Sequence, residues 1–319
     1  MNYFSEKDIA SLISMKTCIE LMKTAFSDIS AKESYVPVRT HLPLKGANAN
    51  ALFMPVFSNK LNVYGIKNVS IIPENVEKGI PRTSAHFLLY DGNTGKLLSL
   101  MDAETITSLR TGAASGLATD YLSLSDANCL AIFGTGEQAY YQVSAVLSVR
   151  EIKTILIFAT NELKANQFAK RLKPIMPKGC VCITENPTLS TADIICTATS
   201  SQTPVFKPMP LKRSVHINGV GSYTPKMAEV PAETVRSSTI FVDQIEACFS
   251  EAGDILQAIE HGFIKGSDIT YELGDIPLKK MNTQQFKNRT TFFKSVGNAV
   301  QDLYVAHYIW NTFHQNTKV

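Results

Sequence analysis

The sequence predicts an α/β fold in two parts: a Rossmann-type, doubly wound parallel sheet, and an α+β domain built from the first third of the chain and completed by the C-terminal helix. Three observations carry this. Short apolar, strand-like runs alternate with helical stretches between about residues 128 and 243. A glycine turn, Gly134-Thr135-Gly136, joins the first of those runs to a helix. Before residue 100 the pattern is instead one helix followed by strands and a hairpin signal.

In chain order, residues 15–31 place Ile19, Met22, Ala25, Phe26 and Ile29 at helical spacing, which gives this helix one apolar face. Strands are expected at 35–41, 51–57, 61–72 and 84–90, and Asp91-Gly92-Asn93-Thr94-Gly95 supplies residues that tolerate the positive φ of a hairpin turn. Asp102 stands where it can cap a helix running to about Leu122, along which Thr111-Gly112-Ala113-Ala114-Ser115-Gly116 permits close approach of a backbone or a cofactor. Six strands follow, around Ile132 and at 155–158, 181–183, 193–196, 215–218 and 240–243. The final stretch, 295–313, is helix-like, with Val296, Ala299, Val300, Leu303, Val305 and Ile309 as its apolar positions. No strand follows it, so it is expected to pack back on the first domain.

With 319 residues, 45% of them hydrophobic and 18% charged, the chain is long enough for two globular domains. Its net charge of +3 is spread along the sequence without a basic block, which argues against nucleic acid and for a small anionic ligand held by a few placed cations. The six cysteines lack zinc-type spacing and read as buried thiols; no metal-ligand cluster and no Ser-His-Asp set is visible. No apolar run approaches the roughly 20 residues of a membrane span, and Met1-Asn2-Tyr3-Phe4-Ser5-Glu6 is unlike a signal peptide. A cytoplasmic protein without membrane partners is the expectation.

Gly134-Thr135-Gly136, followed by Glu137, Gln138 and Ala139, lies between a strand and a helix at the start of a βαβ unit. In that setting Gly134 makes the tight turn, Gly136 admits a pyrophosphate, Ala139 lets helix and strand pack, and the helix N-terminus attracts the phosphates. A dinucleotide site is therefore predicted. The second strand ends Phe158-Ala159-Thr160-Asn161, without the acid that would hold the ribose 2′-hydroxyl of NAD, and Glu162 comes where a helix should start. Thr160 and Asn161 suit a 2′-phosphate, with Lys164 in reach, so NADPH is favoured and NADH stays possible. Thr199 and Gly219-Val220-Gly221-Ser222 fall at the carboxyl ends of later strands, where ligands of such sheets bind; for the glycines a plain loop role stays open.

Arg39, Lys67 and Arg110 fall at the ends of elements in the first domain. Such cations are either solvated or form a carboxylate grip, in which arginine offers two parallel hydrogen bonds and lysine a movable charge and a proton. His41, His86 and His216 sit in strand patterns without catalytic partners, and Asp243 ends a strand where it can cap or lie near the ligand crevice.

Several stretches occur together in order: Pro37-Val38-Arg39-Thr40, Gly65-Ile66-Lys67, Ser108-Leu109-Arg110-Thr111-Gly112-Ala113-Ala114, Gly134-Thr135-Gly136-Glu137-Gln138-Ala139, Asn218-Gly219-Val220-Gly221-Ser222-Tyr223-Thr224-Pro225 and Phe293-Lys294-Ser295-Val296-Gly297. On them the chain resembles the ornithine cyclodeaminase/mu-crystallin family over nearly its whole length. The resemblance implies a homodimer, with residues 1–118 and 296–319 binding substrate and forming the interface, and residues 119–295 binding NAD(P). It implies that Arg39, Lys67 and Arg110 surround the α-carboxylate of an amino or imino acid, with Lys67 and Arg110 as the catalytic pair. Arg110, Thr111, Gly134, Gly136, Glu137, Gln138, Thr160, Asn161, Thr199, Val220, Gly221 and Val296 would then serve the cofactor.

Two departures move the expected reaction away from the family's namesake. Leu52 stands where ornithine cyclodeaminases place a glutamate for the distal amine, and Tyr223 stands where they place an aspartate for proton transfers. A distal ammonium would be uncompensated there, which is costly in a closed site. The expected reaction is therefore NAD(P)H-dependent reduction of a cyclic ketimine: Δ1-pyrroline-2-carboxylate to L-proline, then Δ1-piperideine-2-carboxylate to L-pipecolate. Lys67 is the candidate proton donor, and Arg82 departs from the small polar residue usual at its position. The alternatives are oxidative deamination of a small amino acid such as alanine, and NADPH binding without catalysis as in mu-crystallin relatives.

Overall fold

The computed structural model describes residues 1–45 and 49–316. The chain divides into two compact units, Met1–Arg110 with Asn298–Val319 and Thr111–Gly297. The first begins with β1 (Asn2–Phe4), α1 (Glu6–Leu12) and α2 (Met15–Ser30), continues through β2 (Ser34–Tyr35), β3 (Thr40–Pro43), β4 (Asn50–Ser58), β5 (Val63–Ile71), β6 (Thr83–Asp91) and β7 (Leu97–Asp102), and enters α3 (Ala103–Leu122). Asp102 caps α3 as expected, its Oδ1 accepting from the Glu104 and Thr105 amides at 3.1 and 3.2 Å. The strand expected over 35–41 is interrupted between Tyr35 and Thr40. Pro37 lies in the gap, and proline cannot donate to a sheet ladder.

These strands form a sheet ordered β1-β7-β6-β5-β4-β2, with β3 on β4; β1 runs parallel to β7 and the other pairs are antiparallel. Cross-strand partners share a face. The row Met54, Lys67, Phe87 and Met101 is fully buried. The row of opposite facing, Pro55, Ile66, Leu88 and Leu100, is half-buried and apolar, and near it Tyr64 and Tyr90 stack at 4.8 Å.

The second unit takes up the chain within α3, at a boundary eight residues before the sequence-based division at 118/119. The helix crosses the boundary without a break, so the sequence offers no loop to mark it. Its elements are β8 (Cys129–Phe133), α4 (Glu137–Leu147), β9 (Thr154–Phe158), α5 (Glu162–Leu172), β10 (Val181–Ile183), β11 (Ile194–Thr197), β12 (His216–Gly219), α6 (Ala232–Arg236), β13 (Thr239–Val242), α7 (Ile245–Glu251), α8 (Gly253–Glu260), β14 (Tyr271–Glu272), α9 (Asp275–Leu278) and β15 (Thr291–Lys294). All pairs in this sheet are parallel, in the order β10-β9-β8-β11-β12-β15-β13-β14. Its first five strands follow the Rossmann order 3-2-1-4-5. Both faces carry apolar cores, one including Ala131, Ile195 and Ile217 and the other Leu130, Ile132 and Ile155, as a sheet covered on both sides requires.

β15, which the sequence pattern does not mark, inserts between β12 and β13. The last helix starts four residues later than the expected 295, because Ser295 to Gly297 form the loop after β15. The chain then returns to the first unit as α10 (Ala299–Asn316), which lies along α2 and across β4 to β7. Tyr304 of α10 donates a hydrogen bond to the buried carboxylate of Asp28 in α2.

Candidate active site

In the first unit a single buried carboxylate organises two of the predicted cations. Lys67 comes from the middle of β5, Arg110 from α3 and Asp302 from the first turn of α10. The Lys67 ammonium is 2.8 Å from Asp302 Oδ2, and Arg110 Nε donates to Asp302 Oδ1 at 3.3 Å. Arg110 Nη1 donates to Gln301 Oε1 at 2.7 Å, and Lys67 Nζ donates to Thr107 Oγ1 at 3.2 Å. All three charges are buried, with Asp302 wholly removed from solvent.

This geometry fixes the cations from behind and leaves specific donors for a ligand. Asp302 and Gln301 engage Nε and Nη1 of Arg110, so the two hydrogens on Nη2 remain for an incoming carboxylate. Lys67 gives one hydrogen to Thr107 and is ion-paired with Asp302, which leaves it hydrogens to offer a ligand. Burial pulls the Lys67 pKa down from its ordinary 10.5 to about 7, against the pull of Asp302 in the other direction. The positive charges of Arg110 and of half-buried Arg39 add to the lowering, which places Arg39 in electrostatic reach of the same lysine. A lysine that titrates near neutrality is suited to proton transfer.

Leu52 is buried and shares the Lys67 face of the sheet, since it pairs with Val69 while Met54 pairs with Lys67. The residue that departs from the ornithine cyclodeaminases thus lines the same face as the candidate acid. Arg82 is exposed just before β6, and Tyr223 is 47% exposed in the second unit.

The glycine turn of the second unit is built for a dinucleotide. Gly134 has φ +106° and a Cβ there would stand 2.6 Å from the Ala198 carbonyl oxygen, so only glycine fits. Gly136 caps α4 without any side-chain hydrogen bond, and a Cβ on it would meet nothing within 4 Å. The space beside Gly136, at a helix N-terminus with its partial positive charge, fits the pyrophosphate of NAD(P). Gln138 and buried Ala139 continue into the helix. The Glu137 side chain is turned to Arg171 of α5, so what it can offer a phosphate is its main-chain amide.

At the tip of β9, Thr160 is exposed, and Asn161 caps α5 by accepting from the Lys164 amide at 2.9 Å. Thr111 contributes its carbonyl oxygen to Gln142 at 3.3 Å, tying α3 to α4. Two buried acids that the sequence reading did not assign to the site hold the remaining loops. Glu229 accepts from the Thr199 amide and hydroxyl at 2.6 and 2.8 Å, from the Thr197 hydroxyl at 2.9 Å and from the Gly221 amide at 2.7 Å. It thereby joins the loops after β11 and β12, and a Cβ on Gly221 would come within 2.2 Å of the Thr199 carbonyl oxygen. Asp254 accepts from the Glu229 and Val230 amides and pairs with Lys294 at 3.2 Å. Val220, in the loop after β12, and Val296, in the loop after β15, are both buried.

Asp243, read from the sequence as a cap or crevice residue, is instead an anchor for the loop after β15. Its Oδ2 accepts from Ser295 Oγ and from the Val296 and Gly297 amides at 2.8, 3.0 and 2.7 Å. His216 bonds Thr291 and Asn218 inside the sheet, and burial pushes its pKa down to about 3. It is a neutral core residue.

Asp302 and Gln301 were also missed. The available signal was a charged residue on the apolar stripe of a helix: Asp302 falls between Ala306 and Ile309 around α10. Among the described residues no group of acids, histidines and cysteines could hold a metal ion, and no helix is long and apolar enough to cross a membrane.

The family model for the ornithine cyclodeaminase/mu-crystallin family matches residues 3–317. A Δ1-pyrroline-2-carboxylate reductase of Bacillus cereus is 36% identical over 312 residues, 97% of this chain and 96% of that protein. The solved structure of Thermococcus litoralis Δ1-pyrroline-2-carboxylate reductase with NADH and L-proline superposes with a TM-score of 0.91 at 34% identity, covering 99% of this chain and 98% of that one. An archaeal alanine dehydrogenase dimer with bound NAD gives a TM-score of 0.90 at 27% identity, over 99% of this chain and 96% of its own.

Proposed function

The chain belongs to the ornithine cyclodeaminase/mu-crystallin family, and from that premise we propose that it is an NAD(P)H-dependent reductase of cyclic ketimines. Its leading substrate is Δ1-pyrroline-2-carboxylate, reduced to L-proline, with Δ1-piperideine-2-carboxylate as a second. The observation that carries the reading is the Lys67–Asp302–Arg110 cluster with Leu52 on the same sheet face. It offers hydrogens to a carboxylate, a lysine that can give up a proton near neutral pH, and no acid at Leu52 for a distal amine. The similarity to two Δ1-pyrroline-2-carboxylate reductases supports the same substrate.

NAD(P)H, when bound, would supply the hydride for the C=N carbon. Gly134, Gly136 and the first amides of α4 would hold its pyrophosphate, and the loops tied by Glu229 would hold Thr199, Val220 and Gly221 along it. Arg110, oriented by Asp302 and Gln301, grips the substrate carboxylate with Arg39 and so fixes the imine carbon in place; such fixation supplies several kcal/mol of a barrier. Lys67 keeps the imine nitrogen protonated, which makes the carbon electrophilic, and the product nitrogen retains that proton as a secondary amine.

NADPH is the favoured cofactor, because the tip of β9 at Ala159-Thr160-Asn161 carries no carboxylate to repel a 2′-phosphate. A cytoplasmic homodimer is part of the proposal: the half-buried apolar row Pro55, Ile66, Leu88 and Leu100 suits a second copy. The test offers purified protein NADPH or NADH with pyrroline-2-carboxylate, piperideine-2-carboxylate, or pyruvate plus ammonia, and follows loss of reduced cofactor. Turnover of the cyclic imines is expected. Turnover with pyruvate and ammonia alone would replace the reading by alanine dehydrogenation, and binding of NADPH without any turnover would leave a binding protein.

A further inference from the structure

Asn298 stands immediately before α10, the position where asparagine is favoured because its side-chain oxygen can accept from the first helical amides. It does not do so. Both Oδ1 and Nδ2 of Asn298 lack a hydrogen-bond partner although the residue is only 4% exposed. Buried amides are nearly always satisfied, and an orphaned one marks either a bound water or a ligand. Its surroundings favour the ligand. The Asn298 main-chain amide donates to Gln301 Oε1 at 3.2 Å, the same oxygen that accepts from Arg110 Nη1 at 2.7 Å. The orphaned side chain therefore belongs to a residue one hydrogen-bonded group away from the carboxylate-gripping arginine. Asp302, which holds both Arg110 and Lys67, is on the same helical turn.

We propose that Asn298 is a substrate-binding residue that reads the nitrogen of the imino acid: Oδ1 accepts from the protonated imine N–H while Nδ2 donates to the neighbouring carboxylate. This rests on the ketimine-reductase reading above. An amide presents one acceptor and two donors, and a protonated ketimine-2-carboxylate presents a donor beside an acceptor, so the two groups close a ring with two hydrogen bonds. A 2-oxo acid presents only an acceptor at that position and leaves Oδ1 unmatched. The role assigned is selection of nitrogen over oxygen at the reacting carbon's neighbour, in addition to the charge-based grip of Arg39, Lys67 and Arg110.

The test compares two flat inhibitors of equal size, pyrrole-2-carboxylate with its N–H and furan-2-carboxylate without it, against pyrroline-2-carboxylate turnover in the wild-type protein and in Asn298→Leu. The wild type is expected to bind the pyrrole about tenfold or more tightly than the furan, since a site built around a hydrogen bond rejects the analogue lacking it. In Asn298→Leu the ratio is expected to fall to within about twofold, with kcat/KM down roughly 10- to 100-fold and NADPH affinity unchanged. The melting temperature should hold or rise, because leucine removes an unsatisfied buried amide; an amide with only a structural task would lower it. Should the leucine variant not fold, Asn298→Ala is read by the same inhibitor ratio. A wild-type ratio near one, or an unchanged ratio in the variant, overturns the inference while imine reduction stands. A loss of NADPH affinity with the ratio intact assigns the amide to the cofactor and also overturns it. No turnover of any imine by the wild type removes the reading and this inference together.

Discussion

Replacing Asp302 with asparagine tests how the buried cluster sets the proton chemistry. In the wild-type site Lys67 and Arg110 share one carboxylate, and Lys67 titrates at about 7. A unit charge at 2.8 Å is worth several kcal/mol even at an effective dielectric constant of about 20. Its loss lowers the Lys67 pKa further by roughly two to four units, at about 1.4 kcal/mol per unit. Lys67 in Asp302→Asn is then neutral at pH 7, and the pair of cations carries one positive charge, as the wild-type trio did. This self-adjustment keeps the cost to folding below the roughly 3–5 kcal/mol of a broken buried pair. The assay is kcat/KM for pyrroline-2-carboxylate reduction between pH 5 and 9. A step requiring protonated Lys67 is fully active below its pKa and declines about tenfold per pH unit above it. The wild-type decline is expected to begin near pH 7. In the variant it begins near pH 5 or lower, so activity at pH 7 drops about 100-fold and is partly restored by acid. The substrate's own titration is common to both profiles and cancels in their ratio. A variant that declined at the wild-type midpoint would refute the coupling of Asp302 to Lys67.

Four further outcomes are expected. Gly221→Ala forces a Cβ to within 2.2 Å of the Thr199 carbonyl oxygen, so NADPH affinity should fall at least tenfold; Glu229→Gln, which loses a charge shared by four donors, should weaken it about tenfold, or about 1.4 kcal/mol, by fluorescence titration. His216 has its pKa lowered from 6.5 to about 3, so the unfolded chain takes up the proton first as the pH falls. Stability is therefore lost below about pH 6.5, by about 2 kcal/mol between pH 7 and 5 in urea unfolding; an identical pH slope in His216→Gln would show that another group is responsible. Ala159→Asp places a carboxylate at the tip of β9, where it should favour NADH over NADPH by at least about tenfold in kcat/KM; an unchanged cofactor ratio would place the 2′-group elsewhere.

The Rossmann half was legible because its signals are local. Gly134 and Gly136 come between an apolar strand and a helix, and the loop has no other way to turn. Asp102 was legible for the same reason, since a cap acts on amides two and three residues away. Asp302 was not, because its partners are 235 residues away at Lys67 and 192 at Arg110, and an acid within Val300-Gln301-Asp302-Leu303 resembles a solvated one until the packing is known. Glu229 was hidden differently: Ala228-Glu229-Val230 lies in a loop, where neither periodicity nor propensity separates a buried anion from an exposed one. β15 escaped because Thr291-Phe292-Phe293-Lys294 is short and enters the sheet out of chain order, between β12 and β13.

The return of the chain to its first unit as α10 also sets an order of assembly. A ribosome that has released residues 1–110 has made Lys67 and Arg110 but not Asp302, and the Met54–Lys67–Phe87–Met101 row lacks the helix that covers it. At about 5–20 residues per second the intervening unit takes roughly 10–40 s to synthesise. During that interval a lysine meant for a dry interior has no counter-ion, so the first unit cannot settle early. The second unit, whose strands and helices are contiguous in sequence, is placed to fold first, and the Lys67–Asp302–Arg110 cluster closes with the arrival of the last helix.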